Sequence, residues 1–337
     1  MPVFLLLVSQ AVALAAGWDV NAAARYIDAR QEQWAAWKPA QSKAGGQCIS
    51  CHTTLVHSLA RAAIRRGGRQ AQPLTWEDGV LSGIEKRLRG ELPKTAGGAV
   101  DVILSAFLST QTTDGNLQRE AFERMWAIQK RDGPGAGAWA WYSLKLDPWE
   151  SGESAFFGAT IAAIAVGRAP KQLRDDARFR GNLQALRAFL NETAPRQPLH
   201  NKLMLAWASA KLSGLMSRSE LKALREAALK ARAGDGAWSI QSLGPWEFLR
   251  AEAGDGANAY ATAFAAFALR QTPGGCRDKR IEPSLDWLRK HQDAASGAWL
   301  APTMTKAYPA GSMQESFMND AATGFAVLAL SGEGCGG

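Results

Sequence analysis

Cysteine and histidine are scarce in this 337-residue chain, with four of each. A structural zinc site draws on four ligands, commonly two close pairs, and only one close group exists here. Cys48, Cys51 and His52 stand together in "GGQCISCHTT" (45–54), while Cys276 and Cys335 are far apart in the sequence. No apolar run after residue 16 is long enough to cross a bilayer, so no transmembrane span is expected. No segment alternates polar and apolar residues in the manner of a strand. The net charge is +8, yet the Arg and Lys residues are dispersed, apart from a short cluster at Arg61, Arg65, Arg66 and Arg69. Without a basic stripe interleaved with aromatics, nucleic acid is not an expected partner. The scattered surplus reads as a solvated surface with weak attraction to anionic membranes or acidic partners.

Almost half the residues are hydrophobic, 47%, which is enough for a large globular core in one to three domains. The first residues, "MPVFLLLVSQAVALAAGWD", hold an apolar run from Phe4 to Ala16 with Ala13-Leu14-Ala15 as an A-x-A-like cleavage site. Residues 1–16 therefore predict an export signal, with a buried N-terminal helix as the alternative. A periplasmic or secreted protein comprising residues 17–337 follows from the first reading.

Internal similarity sets the architecture. "GAGAW", "GDGAW" and "ASGAW" end at Trp139, Trp238 and Trp299, each after a helical run. Small-residue helices follow at 154–167, 257–270 and 319–332, aligned on Ala159-Thr160, Ala261-Thr262 and Ala322-Thr323. Residues 51–66, 99–111 and 200–214 fit the same slot. All six are apolar or small on most sides, as buried helices are. More charged segments at about 20–37, 76–89, 117–130, 176–191, 218–231 and 280–291 read as amphipathic outer helices. Helix pairs at a regular period mean stacked repeats. Six inner and six outer helices predict a single all-α domain closed into an α/α toroid.

"WLRKHQDAASGAW" resembles the QW motif of the prenyltransferase and squalene oxidase repeat, found in squalene–hopene cyclases, through Trp287-Leu288, Gln292, Gly297 and Trp299. "AALKARAGDGAW" keeps the spacing with Arg232 in place of the glutamine, and the first copy keeps Gln129 and Trp139 with a longer loop. The resemblance spans most of residues 99–332. It implies the terpenoid cyclase/prenyltransferase fold, which hosts several activities. The cyclases protonate an alkene with a D-x-D-D cluster in which neighbours keep one acid protonated, and this chain has none. Asp175 and Asp176 lack the spacing. The prenyltransferases' Asp/Cys/His zinc site is missing too. Acidic residues stand near inner-helix starts at Glu150, Glu153, Asp255 and Asp320. They read as helix-start groups interacting with the dipole, or as residues lining the central cavity.

C-x-x-C-H has its own covalent logic. Two thiols three residues apart reach the two vinyl groups of haem, and the following His falls under the iron. Cys48, Cys51 and His52 are therefore candidate ligands for covalently bound haem c, with an iron–His52 bond. A Cys48–Cys51 disulfide is the bland alternative, and a thioredoxin-type dithiol lacks its βαβ context. The export signal agrees with haem, because bacterial cytochrome c maturation attaches it in the periplasm. The chain also resembles bacterial toroid proteins that carry a fused C-x-x-C-H element. In a closed ring the loop before the last inner helix neighbours the first, so Met313, and then Met304, are the candidate sixth ligands; loop packing is the alternative. His200 begins the fourth inner helix and could line the pocket. His57 is expected to pack or meet a propionate, and His291 to be solvated. Cys276 and Cys335, each just past an inner helix, are a candidate disulfide.

Two functions are expected from this. One is a redox module that exchanges electrons with a partner protein. The other is a haem-dependent or cyclase-like enzyme acting on a small apolar, isoprenoid-like ligand in the toroid cavity. A binding toroid without haem is a third.

Overall fold

Along the chain, charged amphipathic helices alternate with helices buried on nearly every side. The computed structural model describes residues 17–41, 47–68 and 74–335. The expected export signal at 1–16 lies outside the described residues. Among the described residues there is no β-strand, only the isolated bridges Gln41 to Gln47 and Leu146 to Glu150. None of these helices is long and apolar enough to cross a membrane.

The outer helices are α1 (Val20–Ala36), α3 (Thr75–Leu88), α5 (Gly115–Ala127), α7 (Arg180–Thr193), α9 (Arg218–Lys230) and α11 (Glu282–Lys290). The inner ones are α2 (Thr54–Arg66), α4 (Ala96–Ser109), α6 (Ser154–Arg168), α8 (Leu199–Ser209), α10 (Ala259–Gln271) and α12 (Phe317–Leu330). Each inner helix packs on the next, α2 on α4 and so on to α12, and α12 packs back on α2. The succession is closed. Small residues let the helices approach: a Cβ on Gly324 of α12 would meet the Val56 side chain of α2.

The three repeated Gly-Ala-Trp segments explain how outer and inner layers hold together. Each indole N–H donates to a carbonyl in the last turn of the preceding outer helix, where the regular hydrogen-bond pattern runs out. Trp139 reaches Met125 at 2.7 Å, Trp238 reaches Ala228 at 2.8 Å and Trp299 reaches Leu288 at 2.8 Å. All three rings are buried. The preceding glycines, Gly137, Gly236 and Gly297, have φ of +91°, +97° and +78°. A side chain there would run into the backbone of the next outer helix, at Ala185, Pro283 and Ala22 respectively, so glycine is required twice over. Gln129 donates onward to the Asn182 carbonyl, Arg232 to that of Arg280, and Gln292 to that of Asp19. Asp19 precedes α1, so the last repeat closes onto the first by the contact that joins the others.

Aromatic side chains meet between the inner helices. Phe107 of α4, Trp207 of α8, Phe264 and Phe267 of α10 and Phe325 of α12 are buried, and Trp207 and Phe325 touch the others edge-on or tilted. Such contacts add about 0.5–1.5 kcal/mol each beyond area burial. Cys276 and Cys335 form a disulfide that links the segments after α10 and α12, with Cα atoms 5.5 Å apart.

Candidate functional site

The C-x-x-C-H segment lies where the ring closes. Residues 51–53 form a turn, and the helix begins at Thr54. The Ser50 hydroxyl ties the turn to the helix start: it accepts from the backbone N–H of Thr53 at 3.1 Å and of Thr54 at 2.9 Å. Two other helices hold the segment. Trp34 of α1 donates its indole N–H to the Cys48 carbonyl at 2.8 Å, and Asp101 of α4 accepts from the Ile49 N–H at 3.1 Å. Cys48, Cys51 and His52 thereby line one cavity of about 620 Å³, shared with Trp34, Trp141 and Tyr142. That volume lies in the range of small-molecule and cofactor sites.

His52 is buried among rings. The centroid of Phe317 is 4.1 Å away, that of Trp149 5.2 Å and that of Trp34 5.8 Å. Its Nδ1 is 2.9 Å from the Thr53 hydroxyl, which is 2.9 Å from Oδ2 of Asp320. A carboxylate only accepts, so Thr53 donates to Asp320 and accepts from His52. His52 is therefore the Nδ1–H tautomer, with the Nε2 lone pair free. Burial pushes its pKa down to about 4, so the ring is neutral at neutral pH. A metal-ligating imidazole needs both conditions.

Asp320 is the hub of this arrangement. It is wholly buried and pairs with Arg30, Nε to Oδ1 at 2.7 Å and Nη2 to Oδ2 at 2.9 Å. Tyr26 donates to Oδ1 at 2.8 Å. The Asp320 carbonyl is 3.0 Å from His57 Nε2, and Gln31 Nε2 is 2.9 Å from His57 Nδ1. His57 is thus buried in the same network rather than turned toward a bound group. Burial holds it near 4 as well.

Both thiols are free of disulfide. Burial pushes Cys48 up to about 11 and Cys51 higher still. In the chain without a bound group both are therefore protonated thiols at neutral pH. Among the described residues, no three His, Cys, Asp or Glu side chains gather as a metal-binding group.

The cavity wall is aromatic on one side and of mixed charge on the other, where Glu91, Asp101 and Glu150 line it beside Arg87 and Arg124, so a flat, largely apolar group such as haem would meet both signs of charge there. Its aromatic side comes from Trp34, Trp37, Trp141 and Phe317. Arg87 is 5% exposed; its Nη2 bonds the Gln47 carbonyl and its Nε lies 3.5 Å from Asp101. Nη1 of Arg87 and Nε of Arg124 are buried with no hydrogen-bond partner among the described residues. Buried donors left this way are costly and call for an acceptor, which a ligand's carboxylates would supply.

The remaining candidates are dispersed. Met313 Sδ accepts from Arg30 Nη1 at 3.3 Å. Met304 is buried and shares a second cavity of about 90 Å³ with His52, Trp149 and Met318. No methionine lines the thiol cavity among the described residues. His200 is buried, and its Nε2 lies 2.7 Å from the Tyr260 hydroxyl. Glu153 is exposed and accepts from Gln197, while Asp255 is exposed and follows a short helical turn. His291 stacks on Trp287 at 3.9 Å.

Thr53, Arg30 and Trp149 were not singled out from the sequence. Arg30 and Gln31 had a signal: with Val20, Ala23, Ile27 and Trp34 they lie on the buried stripe of α1. Among known proteins, no family model matches the chain and no curated protein is similar to it.

Proposed function

We propose that this chain is an exported c-type haem protein built on a squalene-cyclase-like α/α toroid, with a redox role. Cys48 and Cys51 would carry the thioethers and His52 Nε2 the iron, while Arg87 and Arg124 would face the carboxylates. The carrying observation is the Asp320–Thr53–His52 relay, which leaves a neutral imidazole with a free Nε2 beside two thiols. Bound haem supplies one-electron chemistry at iron. The protein's own part is to fix the His52 ring, wall it with aromatics and keep it from protonation. Against the isoprenoid-cavity alternative stand the ring contacts among Phe107, Trp207, Phe264, Phe267 and Phe325 inside the ring.

Coexpression with a bacterial haem-attachment system tests this. The expected product keeps its haem after denaturation and shows a c-type spectrum, and Cys48→Ala/Cys51→Ala does not. Wild-type protein that loses all haem on denaturation would overturn the reading.

A second reading, haem-dependent chemistry on a small ligand, has its own observation: among the described residues, no methionine lines the thiol cavity. Carbon monoxide binding by the reduced protein without prior denaturation would favour it. A Met-to-iron charge-transfer band would favour electron transfer alone.

A further inference from the structure

Tyr260 is 1% exposed, and its hydroxyl sits between two polar neighbours. The Trp149 indole N–H donates to its oxygen at 3.2 Å, so the phenolic proton must be given elsewhere. Nε2 of His200, 2.7 Å away, is its acceptor. His200 Nδ1–H then donates to Asn201 Oδ1 at 3.0 Å, Asn201 Nδ2 to Gln197 Oε1 at 2.8 Å, and Gln197 Nε2 to the Glu153 carboxylate. All these dipoles point one way and end on an exposed anion. A positive charge arising on His200 would meet aligned acceptors.

Aromatic rings join this pair to both sides. Trp149 lies 5.2 Å from His52 and 5.5 Å from Tyr260, and His200 lies 5.5 Å from the half-buried Trp246. An oxidised phenol is a very strong acid, so a buried tyrosine gives up an electron only when a base takes its proton. Burial keeps His200 neutral, with a pKa lowered to about 4, so Nε2 is open to receive it.

We propose that Tyr260 and His200 form a proton-coupled redox relay between the His52 site and the surface at Trp246. A one-electron oxidant takes one electron from Tyr260 through the Trp149 indole. The O–H bond breaks, the proton passes to His200 Nε2, and a neutral tyrosyl radical remains beside an imidazolium. A one-electron donor at Trp246 reverses both transfers. Only the entry point at His52 rests on the haem reading.

Pulse radiolysis tests the relay, with the azide radical as one-electron oxidant of indoles. The full chain is used with and without attached haem. Indole-radical absorption is expected to decay into tyrosyl-radical absorption. Tyr260→Phe removes most of the tyrosyl signal, and Tyr308→Phe leaves it. His200→Phe slows its appearance by about 100-fold, the lower end of what a positioned base contributes. Near-ultraviolet circular dichroism checks that each variant is folded, and Tyr260→Phe preserves the ring if His200→Phe does not fold. A tyrosyl signal unchanged in Tyr260→Phe overturns the proposal, as does an unchanged rate in folded His200→Phe. Failure to attach haem overturns only the preceding reading, because the radical is scored on the haem-free chain too.

Discussion

Asp320 has no contact with solvent, yet it accepts hydrogen bonds from Tyr26, Arg30 and Thr53. Asp320→Ala would leave the Arg30 guanidinium buried without its counter-charge. A loss of about 3–5 kcal/mol is expected, read as a shift in the urea unfolding midpoint. Thr53→Val is a milder change, costing about 1 kcal/mol. Its sharper signature is imidazole nitrogen NMR. His52 should be the Nδ1–H form in the wild type and should shift toward Nε2–H in the variant. The sequence made Cys48, Cys51 and His52 legible, because their spacing is local. It showed Asp320 only as an acid at a helix start. Its partner Arg30 is 290 residues away, and no local pattern records a pairing through space.

The outer helices meet their neighbours through glycine, and the two kinds of glycine should respond oppositely to a methyl group. Gly297 has φ +78° and abuts the Ala22 backbone, so Gly297→Ala should destabilise by more than about 1 kcal/mol. Gly181, in α7, has open space around its Cβ direction, so Gly181→Ala should stabilise by about 0.4–1 kcal/mol. Thermal unfolding of the pair decides it. Helix positions were largely readable because small-residue and charged segments alternate with the Gly-Ala-Trp turns. The segment expected to be helical from Cys51 starts at Thr54, and the Ser50 hydroxyl accepts from the N–H groups of Thr53 and Thr54 across the turn before it. The ring contacts among Phe107, Trp207, Phe264, Phe267 and Phe325 were not readable. Periodicity gives the face of one helix, not what six faces bring to one axis.

For the molecule as a whole, pH and redox state set stability. His57 and His200 are buried neutral, their pKa lowered from 6.5 to about 4. Between those values the unfolded chain binds protons that the folded chain refuses. Stability is therefore fully present above pH 6.5 and lost as the pH falls through this window. Urea midpoints at neutral and mildly acidic pH should differ accordingly, and less so in Tyr260→Phe/His200→Gln. The Cys276–Cys335 link spans 59 residues. Chain-entropy loss in the unfolded state predicts that its reduction costs about 4 kcal/mol, measurable by unfolding with and without dithiothreitol.

The seam between first and last repeats has a consequence in time. His52 comes from α2, Arg30 and Trp34 from α1, and Asp320 and Phe317 from α12. The pieces that hold the imidazole are thus made at opposite ends of synthesis. Until residues near 320 have been made, Thr53 has no carboxylate to donate to, and the His52 ring lacks both that fixed tautomer and the Phe317 ring beside it.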